Sequence, residues 1–196
     1  MKLKCYHGTT RKNASSILSE GKFRPSEKEE GLRLGRGAYF YNKTAWSDYA
    51  KQCAYDTVAY HHDHCKNKEE YPDYAILSCD VECDDSQFFD MYTPEGMELF
   101  HEARKKTYQT MVANGHSFTR CGALDTQTMD ILRESMDIAV IRCPQFFGFM
   151  RSEESIRFTE RTRPLTYVPN VIIVCVDPSK AIISNIQIEE EGCFYD

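Results

Sequence analysis

An unbroken apolar run, Val171-Ile172-Ile173-Val174-Cys175-Val176 between Pro169 and Pro178, constrains this chain more than any other stretch. A short, wholly apolar segment bounded by prolines suits a strand buried on both faces. Other strand patterns surround it in sequence: Leu3 to Tyr6, Gly37 to Phe40, Tyr74 to Val81, Met136 to Cys143, Ser155 to Thr159 and Ala181 to Glu189. Three segments read as helices. Asn13 to Glu20 has Ile17 and Leu18 on its buried side and Gly21 as its stop. Thr44 to Tyr60 has Thr44 as its cap, and Pro94 to Asn114 carries Met97, Phe100, Tyr108 and Met111 at helical spacing. Helices come early and strands late, with no regular βαβ alternation, so the fold class is α+β. We expect one domain over 1–196, with 84–135 as a helical elaboration.

The composition, 41% hydrophobic and 28% charged over 196 residues, is that of an ordinary globular chain able to bury a core. No apolar run approaches the roughly 20 residues of a membrane helix. Met1-Lys2-Leu3-Lys4 leads straight into polar sequence, so no secretory signal is expected. A net charge of −6 offers no broad basic face for sequence-independent grip on nucleic acid. Nine cysteines are spread over the chain, several inside apolar runs, and read as reduced thiols packed as small hydrophobes. A cytosolic setting follows, although a protein exported without a signal would read the same way.

The opening fifty residues carry the functional signal. Tyr6-His7-Gly8-Thr9-Thr10 ends one strand, and Gly35-Arg36-Gly37-Ala38-Tyr39-Phe40 turns into the next. If those strands pair, His7 and Tyr39 come together, which is the reason to read this chain as an enzyme.

With Arg11, Asn13, Ile17-Leu18-Ser19, Gly21, Ser47 and Tyr49, this set resembles the NAD-binding core of the poly(ADP-ribose) polymerase-like ADP-ribosyltransferases, the diphtheria-toxin type with a His-Tyr-Glu triad. The resemblance implies two facing, mostly antiparallel sheets with a cleft between them, and NAD as co-substrate. Gly8 would offer its backbone N–H and C=O to the nicotinamide carboxamide, with Ser47 adding a hydrogen bond. Tyr39 and Tyr49 would sandwich the ring, whose positive charge favours an aromatic face. His7 would hold the adenosine-side ribose, and Thr9 or Arg11 the same ribose or a phosphate. Cleavage of the glycosidic bond passes through an oxocarbenium-like state, for which positioning and charge stabilisation matter most.

The third triad member is where the pattern breaks. In the late strand the family's glutamate position falls on Ile172, with Asn170 the nearest polar neighbour. Three readings follow. The enzyme transfers one ADP-ribose without extending a polymer; or Glu189, in Gln187-Ile188-Glu189, or Glu160 supplies the acid; or the site binds NAD or ADP-ribose without turnover. Single transfer to a macromolecular acceptor ranks first, a protein side chain ahead of a nucleic-acid base or terminal phosphate. We take His7, Tyr39 and Glu189 as the candidate catalytic set.

A metal reading of His61-His62-Asp63-His64-Cys65, with Cys79 and Cys83, is set aside: the histidines adjoin a charged stretch that reads as an exposed loop, and the cysteines stand far apart on a strand. No cysteine lies beside a glycine-rich elbow, and Gly35-x-Gly37 lacks the third glycine of a dinucleotide loop.

Overall fold

A computed structural model describes residues 1–26, 34–43, 49–116, 121–145 and 171–194. Ser47, Glu160, Asn170 and the strand expected at Ser155 to Thr159 lie outside the described residues. The first strand, β1 (Lys2–Thr9), leads into α1 (Arg11–Glu20), then β2 (Ala38–Asn42) and α2 (Tyr49–His64). Next come β3 (Asp73–Glu82), β4 (Phe88–Asp90), α3 (Pro94–Ala113) and α4 (Cys121–Met136). Three more strands complete the described elements: β5 (Val140–Gln145), β6 (Val171–Val176) and β7 (Ile182–Cys193).

The architecture is α+β. Instead of two facing sheets, the strands form one seven-stranded sheet in the order β4-β5-β6-β2-β1-β3-β7, parallel only between β4 and β5. The physical reason is that β1 pairs along both edges, with β2 and with β3, and so joins what would otherwise be two separate sheets.

As its composition requires, β6 is buried on both faces. Val174 and Val176 pack with Leu3, Cys5, Phe40 and Leu77 on one side, under Ala14 of α1. Ile173 and Cys175 pack on the other with Phe100 of α3 and Met129 of α4. That second face continues over β1 and β3, where Tyr6 and Ile76 meet Ala50 and Ala54 of α2.

Local chemistry moves several expected boundaries. Thr10 caps α1 by accepting from the Asn13 N–H, and Gly21 ends the helix in the left-handed region; Ala14 is its buried residue, whereas Leu18 is 39% exposed. Helix α2 runs on to His64, so the histidine segment is helical rather than a loop. His62 is buried there, bonded through Nδ1 to the Tyr71 carbonyl and stacked on Phe194. Residues 84–135 are not wholly helical, because β4 pairs with β5 before α3 begins. Helix α4 extends through Met136 to a left-handed Asp137, which delays β5 to Val140. On α3, Phe100 is core while Tyr108 faces solvent.

Candidate functional site

The ladders on the two edges of β1 differ in length. Against β3 all eight residues pair, Lys2 with Glu82 through Thr9 with Ala75. Against β2 the ladder pairs Cys5 with Asn42 and Tyr6 with Tyr41 and then stops. Alternation fixes which groups face the gap. The Lys4 carbonyl accepts the Lys43 N–H, so Lys4, Tyr6 and Gly8 all point their backbone polar groups toward β2. A continued ladder would join Gly8 to Tyr39. Instead the Tyr39 carbonyl accepts a hydrogen bond from His7 Nδ1 at 2.8 Å. Among the described residues, the Gly8 N–H and C=O thus have no ladder partner on β2.

This contact also fixes the histidine tautomer. A carbonyl can only accept, so Nδ1 carries the hydrogen and Nε2 keeps its lone pair. The His7 ring sits edge-on to Phe23 at 5.3 Å and beside Phe40 at 5.6 Å. Burial lowers its pKa below the ordinary 6.5, against the opposing pull of the Tyr39 carbonyl. His7 is thus a neutral ring with an acceptor nitrogen.

His7 and Tyr39 are joined through backbone, not side chain to side chain. His7 lies with Phe40 on the α1 face of the sheet, whereas Tyr39 packs on the opposite face with the cluster of Cys175, Met129 and Phe100. Tyr49, the first residue of α2, packs against the same cluster as Tyr39. The Tyr39 hydroxyl donates to the Gly35 carbonyl at 2.6 Å, and burial pushes its pKa well up.

Gly8 needs its missing side chain for packing as well. A Cβ there would fall 1.9 Å from the Ala54 carbonyl oxygen of α2, so β1 and α2 touch backbone to backbone.

The remaining candidates are spread more widely. Thr9 pairs with Ala75 at the end of β1. The Arg11 guanidinium faces Glu191 of β7 at 4.0 Å, on the side of β1 away from β2. Ile172 is partly exposed and pairs with Pro144. By alternation with Ile173 it shares the His7 face.

Glu189 stands on β7, separated from β2 by β3 and β1, or about 14 Å at ordinary strand spacing. It occupies a bulge: Ile188 and Glu190 pair with the consecutive residues Leu77 and Ile76, leaving Glu189 as the extra residue. Its carboxylate accepts from the Ser78 hydroxyl at 2.6 Å, and that hydroxyl accepts from Lys4 Nζ at 3.0 Å. The structure therefore does not bring Glu189 together with His7 and Tyr39.

Sequence reasoning missed Phe23, which the charged loop gave no signal for, and the role of Cys175 beyond core packing. Among the described residues no group of three or more His, Cys, Asp or Glu side chains is placed to hold a metal ion. Cys5 and Cys79 are buried thiols that face each other across β1 and β3. No helix of the described residues is long and apolar enough to cross a membrane.

No family model matches the chain. An uncharacterized protein of Methanocaldococcus jannaschii is 26% identical over 194 residues, covering 91% of this chain and 84% of its own length. No solved structure matches.

Proposed function

We propose that this chain binds NAD at the open edge between β1 and β2 and transfers a single ADP-ribose to a macromolecular acceptor, releasing nicotinamide. One observation carries the reading: the ladder parts at Gly8 because His7 takes the Tyr39 carbonyl. A strand edge with N–H and C=O side by side is complementary to a carboxamide, which presents one acceptor and one donor. The tyrosines Tyr39 and Tyr49, on a shared cluster, are the candidate walls for the ring, and neutral His7 Nε2 is the acceptor for a ribose hydroxyl.

In the reaction the bond between the ribose anomeric carbon and the nicotinamide nitrogen breaks, and its electron pair leaves with the neutral base. The acceptor's lone pair then attacks the anomeric carbon and its proton passes to solvent. Binding the ring and ribose in one fixed orientation supplies the rate advantage. Ile172 stands at the position of the family's acid, so no carboxylate there binds the hydroxyl of a growing polymer, and extension should be negligible. A protein side chain is the favoured acceptor class, since the net charge of −6 disfavours nucleic acid mildly.

A second reading, NAD or ADP-ribose binding without turnover, draws on the distance of Glu189 from Tyr39 and on its bond to Ser78. Incubation of wild type, Ile172→Glu and Glu189→Gln with labelled NAD and a cell lysate separates the two. Discrete labelled bands, unchanged in Glu189→Gln, are expected. Long polymer from wild type would sink the single-transfer reading, and no label with no nicotinamide release would favour binding alone.

A further inference from the structure

Helix α4 reaches the candidate ring slot although no motif marks it. Arg133 Nη2 lies 2.9 Å from Cys175 Sγ and 3.4 Å from the Cys175 carbonyl oxygen. Cys175 stands opposite Tyr39 in the ladder between β2 and β6, and its thiol points at the same Gly35 carbonyl as the Tyr39 hydroxyl, at 3.9 Å. The same sulfur lies beneath the glycine turn: a Cβ on Gly37 would approach it to 2.6 Å. At the head of that turn, the Gly35 carbonyl receives the Tyr39 hydroxyl. One guanidinium therefore holds a sulfur against which both Tyr39 and Gly37 are set. Burial pushes the Cys175 thiol up to about 11, so the sulfur is neutral and the contact is a charge-assisted bond to a neutral acceptor. Both contacts are made by Nη2 alone, so a lysine ammonium that reaches the same point can restore part of them.

We propose that Arg133 is a positioning residue for Tyr39, setting the wall of the nicotinamide slot from α4 through Cys175. The proposal rests on the reading of Tyr39 as a ring wall. It also predicts selectivity, because ADP-ribose has no nicotinamide ring and makes no demand on that wall.

The test uses the full chain as wild type, Arg133→Met and Arg133→Lys, with nicotinamide and ADP-ribose titrated separately by calorimetry. Methionine keeps the apolar stem and removes the Nη2 donor of both contacts. The expected result is about a tenfold weaker affinity for nicotinamide in Arg133→Met, as for loss of one charge-assisted hydrogen bond. Arg133→Lys should recover part of that loss, and ADP-ribose affinity should stay within twofold. Equal losses for both ligands, or a collapse of the melting temperature, would reduce Arg133 to a structural role and overturn the proposal. Unchanged nicotinamide affinity in Arg133→Met would overturn it while leaving the slot itself standing. A wild type that binds no nicotinamide would remove the slot and the proposal together, and amide exchange at Gly35 and Gly37 unchanged in Arg133→Met would reject the clamp on its own evidence.

Discussion

The two edges of β1 are built from different forces. Toward β3 the strand is held by a complete ladder of eight residue pairs. Toward β2 it is held by two pairs, by side-chain hydrogen bonds from His7 to the Tyr39 carbonyl and from Asn42 to the Lys4 carbonyl, and by a cluster of edge-on aromatic rings. A sheet strand can be opened along one edge only if something else keeps the neighbours in place. Here Phe23, Phe40 and His7 do so by packing. The rings supply the cohesion where the ladder between β1 and β2 has ended.

That contrast can be broken in four ways, the severest first. Phe40 is fully buried between His7 and Phe23. Phe40→Ala should lower the unfolding free energy by about 4 kcal/mol, measured by urea denaturation. A cost below about 1 kcal/mol would mean that the rings do not hold the open edge.

Gly8→Ala should cost about 2 kcal/mol by forcing α2 away from β1, since the added carbon meets the Ala54 carbonyl. If stability is unchanged, helix and strand are not in backbone contact and the glycine serves only the ligand.

Hydrogen exchange sharpens the comparison without mutation. The Tyr6 N–H lies in the ladder with Tyr41 and the Gly8 N–H lies beyond its end, so Gly8 should exchange at least about tenfold faster. Saturating nicotinamide should slow Gly8 selectively. Equal protection of the two amides in the free protein would close the gap we describe.

The smallest effect concerns His7. His7→Asn should cost about 1 kcal/mol at neutral pH through the bond to the Tyr39 carbonyl. The histidine's pKa is lowered in the folded protein, so the unfolded chain takes up the proton first as pH falls. Its contribution to stability is therefore complete above the ordinary value of 6.5 and is lost as pH drops below it toward the folded value. Melting temperatures of wild type should fall across that window more steeply than those of His7→Asn. Parallel curves would show that His7 is not desolvated.

Much of this was legible in the sequence, for identifiable reasons. The apolar run of β6 specified a strand covered on both sides, because no surface strand tolerates six such residues. The start of α1 at Thr10 and its end at Gly21 lie within a few residues of the expected span, since capping is local chemistry. What depends on register was not legible. Neither the early end of the ladder at Tyr6 nor the bulge at Glu189 leaves a mark in a single sequence. Nor does a sequence disclose that His7 and Tyr39 point to opposite faces, which follows from pairing parity alone. Arg133 carries no signal in the sequence, and its place is set only when the fold puts it against Cys175.

The bulge at Glu189 has a consequence beyond the placement of one carboxylate. In the strand order β7 is an outer strand of twelve residues, long enough to template addition of a foreign strand. Its pairing with β3 is irregular at two places, around Asn185 and at Glu189. Asn185 adopts a left-handed conformation that throws the backbone out of register. A chain zipping onto that border would lose its hydrogen-bond phase twice, and would meet three successive glutamates, Glu189 to Glu191, beginning at the second interruption. The irregularity that carries Glu189 onto Ser78 thus also guards the molecule against edge-to-edge aggregation.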